Sequence, residues 1–408
     1  MADDHYIPTE SQIKLATHRT RFLMHTLCFT GLMYKYKVVE GNERVLRMIR
    51  AIFLINLVGI QMLYSIYYVF GVGGSHRERS VVVLCWLFQS FMSMCLLVWW
   101  QYKGRTRFLI RILPWEALKQ SRLQTRKIGF FGIMVVMVVV SVVSFVMNAV
   151  NPKNAVFDRR VLSPFYGWER TINYAIVMYA FFVWSAVFTM YSVLLLVIHE
   201  EVVLLNQAVE KIGSPEFDKM TLTEQLLQLH ERHASLCFAL QQTDQTFEVY
   251  NFVMFTTNIP TTIFALLSCY DAIMSSQTID MIILLPELVF CIIEILGLTM
   301  VPAKITATLE TTERLLYNNR NLWKKYDPDV HIIVNTFVKQ NRQPGLGMSV
   351  WGFAIVTKSL VLTTASLVIT YMTLLLQMSQ SPGETGAIFQ KLLNSSNNVD
   401  EVGGNFTV

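Results

Sequence analysis

The chain has 408 residues, of which 53% are hydrophobic and only 15% charged, with a formal net charge of +5. Soluble domains carry nearer a quarter charged residues, so this composition excludes a soluble globular fold and points to an all-α, polytopic membrane protein. A membrane-spanning helix needs about 20 mostly apolar residues, because in lipid each backbone polar group must be satisfied within the segment.

The first 50 residues form a polar and basic leader with one moderately apolar patch, "FLMHTLCFTGLMY". The first long apolar run starts only at Ala51, so the leader is expected to be cytoplasmic and to stay on the protein rather than act as a cleavable signal. Seven runs then qualify as spans, at about 51–70, 80–100, 128–148, 174–198, 250–274, 279–301 and 351–378. They define one domain over 51–378, followed by a tail over 379–408. The six cysteines lie in the spans or their flanks and make no C-x-x-C pair, which argues against a disulfide framework or a zinc site.

Span four continues without a polar pause through "HEEVVLLNQAVEKIG" to the break at Gly213-Ser214-Pro215. Thr221-x-x-Glu224 then reads as a capping box, and Leu226, Leu229, His233, Leu236, Leu240, Thr243 and Phe247 keep a mostly apolar helical face up to span five. After span six the helical pattern continues, restarts at Asp327-Pro328 and breaks at "NRQPGLG". Segments 199–249 and 302–347 are therefore expected to extend the spans into a cytoplasmic helical bundle, an anchor on which subunits assemble. His230 and His233 have a spacing a metal tolerates, but no third ligand accompanies them and packing is the stronger reading; no cofactor is expected.

Orientation follows from the basic residues, which are retained on the cytoplasmic side. Of 34 Lys and Arg, 26 fall in the leader, the 103–127 loop and the two anchor segments, seven fall on the other side, and Lys358 lies inside span seven. The N-terminus is thus expected inside and the C-terminus outside, where the sequons at Asn394 and Asn405 would be open to glycosylation. This inversion excludes a G-protein-coupled receptor, although "DRR" and "NPK" in the 151–171 loop echo that family.

Two carboxylates, Glu287 and Glu294, lie on one face of span six and must face the bundle interior, since a charge at mid-membrane costs about 2.5–3.5 kcal/mol. Glu294 sits deeper and reads as structural; Glu287 reads equally as a ligand contact or as a packed side chain. Trp86, Tyr174, Tyr179, Phe182 and Phe290 belong to the outer halves of spans two, four and six, where with Glu287 they are candidates for a pocket open to the outside. Trp99, Trp100, Trp168 and Trp351 fall near span boundaries, where an amphipathic ring is at home. In span seven, Thr363, Ser366, Thr370, Thr373, Gln377 and Gln380 step by three and four, a polar seam on the side that faces partner helices around an axis. Small hydroxyl residues also permit close helix packing, but Gln is bulky for that role and suits a constriction. No nucleotide loop, catalytic triad or nucleic-acid-binding patch is present, so neither an enzyme nor a nucleic-acid partner is expected.

The stretch "TYMTLLLQM" resembles the signature of the insect gustatory and odorant receptor superfamily, Thr-Tyr, five hydrophobic residues, Gln and Phe, matching at Thr370, Tyr371 and Gln377. It departs at Thr373, and at Met378 where the family has Phe. The approach to span five, "LHERHASLCFALQQTDQTFEVYNF", is similar to that family's leucine-rich segment, with Asp244 near where Asn is more usual. The resemblance covers nearly the whole length and embraces the nematode gustatory branch that senses light and peroxide. It implies a chemosensory receptor in the plasma membrane, acting as a ligand-gated, non-selective cation channel of four like or unlike subunits. Span seven would line the pore with Thr363, Ser366, Thr370, Thr373, Gln377 and Met378, the last two at the gate. The implied partners are a small-molecule ligand, cations and the bilayer. The competing expectation is a sensory receptor that passes no current and signals through partner proteins.

Overall fold

The computed structural model describes residues 23–33, 42–72, 77–113, 121–150, 169–213, 221–274, 278–324, 326–343 and 345–380. A helical stretch at 23–29 precedes α1 (Asn42–Tyr67), which runs into a π-helical turn at Tyr68–Val72. There follow α2 (Arg77–Tyr102), the short α3 (Arg105–Ile112), α4 (Ser121–Val150), α5 (Glu169–Glu210), α6 (Leu222–Met274) and α7 (Thr278–Asn318). The chain continues through α8 (Arg320–Trp323), α9 (Pro328–Asn341), strands β1 (Ser349–Val350) and β2 (Ala354–Ile355), and α10 (Lys358–Gln380). Each apolar run of the sequence lands on one of the longer helices. Among the described residues, α1, α2, α5, α6 and α7 are long and apolar enough to cross a membrane.

The seventh run differs at its start, because 351–357 is not helical. Trp351 and Gly352 both take positive φ, 49° and 70°, which reverses the chain. Ser349 then pairs with Ile355, and Val350 with Ala354, in an antiparallel hairpin. The helix begins only at Lys358.

The core forms around α5, whose apolar window is 89% buried against 22% for that of α1. It packs on α7, α6, α2 and α4, while α6 also packs on α2, α7 and α9. At about 1.5 Å per residue, the 42 residues of α5, 53 of α6 and 41 of α7 give rods of roughly 60–80 Å, twice the bilayer core. The surplus of all three gathers on one side, because α5 turns into α6 there and α9 packs on the first part of α6. The capping box forms as its spacing implies, Glu224 accepting from Thr221 N at 2.9 Å and Thr221 Oγ1 from Glu224 N at 3.3 Å. Asp327 caps α9 with a single bond, its side chain accepting from Asp329 N. α5 stops at Gly213, whose φ of 71° suits glycine and where a Cβ would come within 2.8 Å of Asn321 Cβ.

Two units divide the chain between Leu362 and Thr363. The first is the bundle with its hairpin and the opening turn of α10; the second, among the described residues, is the rest of that helix.

Gly297 on α7 lets the Phe188 ring of α5 approach so closely that a methyl there would run into it. Gly297→Ala is expected to lower stability by about 1–3 kcal/mol, read as a fall in the unfolding temperature in detergent. Gly129→Ala, which meets open space inside a helix, should leave that temperature unchanged or raise it slightly.

Candidate functional site

The half of the bundle away from the hairpin holds an aromatic cluster drawn from three helices. Trp86 of α2 meets Phe181 of α5 edge-on at 6.2 Å between centroids, Phe181 lies 5.1 Å from Phe290 of α7, and Trp184 of α5 lies 4.5 Å from Phe290. All four rings are buried. Next to Phe290 on α7, Cys291 is within hydrogen-bonding reach of Trp86 and Thr262 and close to both Glu287 and Glu294, which places Glu287 beside this cluster. Glu287 is itself buried.

Glu294 is buried deeper and is held as the sequence reading expects of a structural carboxyl. Trp184 Nε1 donates to its Oε1 at 3.0 Å and Asn258 Nδ2 to its Oε2 at 2.6 Å, while Thr262 Oγ1 donates to Asn258 Oδ1 at 3.0 Å. Sequence reasoning did not single out Phe181, Trp184, Asn258 or Thr262. Asn258, two residues before Pro260 in an apolar run, was the available signal.

The structure separates the six pocket candidates into two groups, with one residue apart. Trp86, Phe290 and Glu287 belong to the cluster just described. Tyr179 and Phe182 face the segment 23–33 instead: Tyr179 OH donates to Thr30 O at 2.7 Å, and Phe182 meets Phe29 edge-on at 5.9 Å. Tyr174 is half-buried against the core. Segment 23–33, an apolar patch of the leader, thus packs into the bundle, with Leu27 and Leu32 fully buried and Arg50 donating to Gly31 O. Leu23 and Met24 border a small apolar cavity with Trp100, Leu109, Met190 and Phe247.

On α10 the predicted seam residues Thr363, Ser366, Thr370, Thr373 and Gln377 are exposed, as is Tyr371 of the family motif. Thr370 Oγ1 donates to Ser366 O and Thr373 Oγ1 to Ile369 O, each at 2.8 Å. Leu367, Ile369 and Leu374 on the flanks of the seam are exposed as well. Met378 is helical, but its side chain and that of Gln380 lie outside the described ones, and Asn394, Asn405 and Trp168 lie outside the described residues.

The residues just before α10 are tied to α6. Asp244 accepts from Ser349 N at 2.6 Å and from Ser349 Oγ at 3.0 Å, and Asn251 Nδ2 donates to Ser349 O at 3.1 Å. Burial raises the Asp244 carboxyl above its ordinary range, opposed by these bonds from Ser349. Of the boundary tryptophans, Trp99 and Trp351 are exposed, whereas Trp100 is buried, 4.7 Å from Phe247 and 6.1 Å from Tyr250. Its amphipathic ring serves the core rather than the boundary.

In the extended bundle, His233 of α6 is fully buried and stacks on Phe337 of α9 at 4.2 Å, with Cys237 Sγ 3.5 Å from its Nε2. No cluster of three or more ligating side chains that could hold a metal occurs among the described residues. His233 packs two helices together.

A bundle of long apolar helices around a buried aromatic and carboxyl core defines a polytopic, α-helical membrane protein. The profile of the 7tm chemosensory receptor family matches residues 20–381, and the chain belongs to that family. The fold is similar to that of the insect olfactory receptor OR5 from Machilis hrabei, solved in complex with eugenol and without it. Both structures give a TM-score of 0.69 at 16% identity, covering 90% of this chain and 100% of theirs. None of the curated protein sequences compared matches this chain.

Burial lowers the His233 imidazole to about 4, against the partial opposition of hydrogen bonds to Asn341 and Gln340. The folded pKa lies below the unfolded value near 6.5, so the neutral ring is favoured above that value and its contribution is lost as pH falls from 6.5 toward 4. Purified protein should therefore lose up to about 3 kcal/mol of stability over that window, seen as a falling unfolding temperature. His233→Phe should flatten that part of the profile.

Proposed function

We propose that the chain is a chemosensory receptor of the plasma membrane that works as a ligand-gated, non-selective cation channel, a homo- or hetero-tetramer whose pore is lined by α10. Its helices α1, α2, α4 to α7 and α10 make seven crossings, with the N-terminus cytoplasmic and the tail outside. Thr363, Ser366, Thr370, Thr373 and Gln377 face the water-filled axis, and Gln377 with Met378 forms the narrowest ring. The observation that carries this reading is the exposed polar seam of α10, in a chain of the chemosensory receptor family. A helix with hydroxyls and amides along one stripe and leucines around the rest needs water on the first and lipid or protein on the second.

The ligand site in this reading is the aromatic cluster of Trp86 and Phe290 with Glu287 beside it; Tyr174 belongs to the same half of α5, and Tyr179 and Phe182 hold segment 23–33 against that helix. The solved relative in complex with eugenol supports a small, partly apolar ligand. The extended parts of α5, α6 and α7 with α9 form the anchor between subunits. A receptor that passes no current would have no use for water along the seam, and the next experiment separates the two.

Thr370→Cys, Thr373→Cys and Gln377→Cys are expected to react with a water-soluble thiol reagent in the open state and to lose current. Val368→Cys, Met372→Cys and Leu375→Cys should not react. Equal labelling of both sets would leave the seam as packing. The orientation is tested separately: an epitope placed after Val408 should bind antibody on intact cells, and binding only after permeabilisation would overturn it.

A further inference from the structure

We infer that the hairpin before α10 is a membrane-surface foot: Phe252, Trp351 and Phe353 seat in the phospholipid headgroup layer at the level where α10 begins. Through Ser349 and Asp244 the foot is fastened to α6.

Three rings meet there, with centroids 4.8 Å apart for Phe252 and Trp351, 6.1 Å for Phe252 and Phe353, and 5.9 Å for Trp351 and Phe353. Trp351 is 49% exposed and Phe353 78%, so the chain itself leaves this patch largely bare. The level of the patch follows from the two helices beside it. Along α6, Gln241, Gln242, Asp244, Gln245 and Glu248 give way at Phe252 to the apolar run Phe252-Val253-Met254-Phe255. Along α10, the apolar run begins just after Lys358. The hairpin lies between these changes in polarity and is bonded to α6 at Asp244 and Asn251. A cluster containing an indole at that level has the chemistry of the membrane–water interface, where amphipathic aromatic rings concentrate.

The turn itself shows that the exposed ring is not incidental. Val350 to Phe353 closes through a bond from Phe353 N to Val350 O at 3.1 Å, with Trp351 at φ 49° and Gly352 at 70°. Such a turn takes Asn, Asp or Gly at its first central position without strain, and a bulky aromatic there is an outlier. The strain is tolerated for a ring that the chain then leaves half uncovered, which places the ring's use outside the chain. A separate protein docking on these rings alone is a poor occupant. Aromatic side chains bury about 150–250 Å² each, so three partly covered rings fall short of the roughly 800 Å² each partner gives to a stable interface. The bilayer surface, which the apolar runs of α6 and α10 on either side would already meet, needs no such area.

The test uses the full chain in nanodiscs of phosphatidylcholine, with acyl chains brominated either close to the headgroup or close to the chain end. Bromine quenches a nearby indole, and Trp351→Leu identifies the contribution of Trp351 among the eight tryptophans. The expected result is that the emission lost in Trp351→Leu is the part quenched more strongly by shallow than by deep bromine. Phe353→Trp, which keeps the turn residues in place, should add a second component of the same kind, so the test does not depend on the folding of Trp351→Leu. Emission quenched only by aqueous iodide would place the hairpin in water; emission quenched by neither would place it against protein. Either result overturns the inference. Because nothing here records current, failure of the foot would be distinct from failure of the channel reading.

Discussion

A carboxyl group inside an apolar bundle is tolerable only if hydrogen-bond donors meet it, and Glu294 imposes that demand on the three longest helices. An unmet carboxyl at mid-membrane costs several kcal/mol. Trp184 and Asn258 meet it from α5 and α6, and the Thr262 hydroxyl holds Asn258 Oδ1 so that the amide turns its NH2 toward the acid. The arrangement specifies register as well as contact. A slip of one residue on any of the three helices would leave a buried polar group unpaired, which is far more selective than the surrounding packing of Phe181, Phe188 and Phe290. Apolar contact brings the helices together; the acid decides which rotation and height they adopt.

Elsewhere along the same helices the fastening changes with the solvent. Near the end of the apolar part of α5, the adjacent Glu200 and Glu201 pair with different neighbours, Arg126 of α4 at 3.0 Å and Arg232 of α6 at 2.6 Å, bracketing the helix from two sides. Further along, asparagine amides take over. Asn206 Nδ2 donates to Thr308 O, Asn319 Nδ2 to Val209 O and Asn341 Nδ2 to Leu309 O, at 2.9, 3.1 and 2.9 Å. Val209 stands at the end of α5, where a helix alone leaves its carbonyls open, while Thr308 and Leu309 lie within α7; in each case the amide ties together two separate elements of the bundle. The extended bundle is thereby a built part of the fold rather than a solvated linker.

The elements were legible where the local code is strong. Apolar runs gave the long helices, Thr221 with Glu224 gave the start of α6, Asp327-Pro328 gave that of α9, and the buried face from Leu226 to Phe247 followed from its spacing. The hairpin was not legible, because two-residue strands carry no periodicity and the turn is made with Trp351 where Gly or Asn would have announced it. Nor was the docking of Tyr179 and Phe182 on residues 29 and 30, since a contact between positions some 149 residues apart leaves no local trace. Trp100 shows the same limit. Its position near a span end suits an interfacial ring, and only the arrival of Phe247 and Tyr250 from α6 makes it core. Of the candidate pocket, residue chemistry was readable and grouping was not, because grouping depends on helix rotation.

That rotation ties the two ends of the site together. Between Asp244 and Asn258, α6 is an unbroken helix of about four turns, with the hairpin clamp at one end and the Glu294 lock at the other. Pro260 follows just beyond the lock, and on α7 Pro286 lies on the corresponding side of Glu294. Proline removes a backbone donor and weakens the helix where it stands. α6 is therefore stiff from the lock to the hairpin, whereas α7 has a further proline on that side, Pro302, and both helices are weakened past the lock, where Trp86, Phe290 and Glu287 gather. In the proposed reading, a ligand that parts those rings would act on the weakened segments, and any tilt at Asn258 would be carried by the unbroken stretch of α6 to Ser349, nine residues before α10 begins.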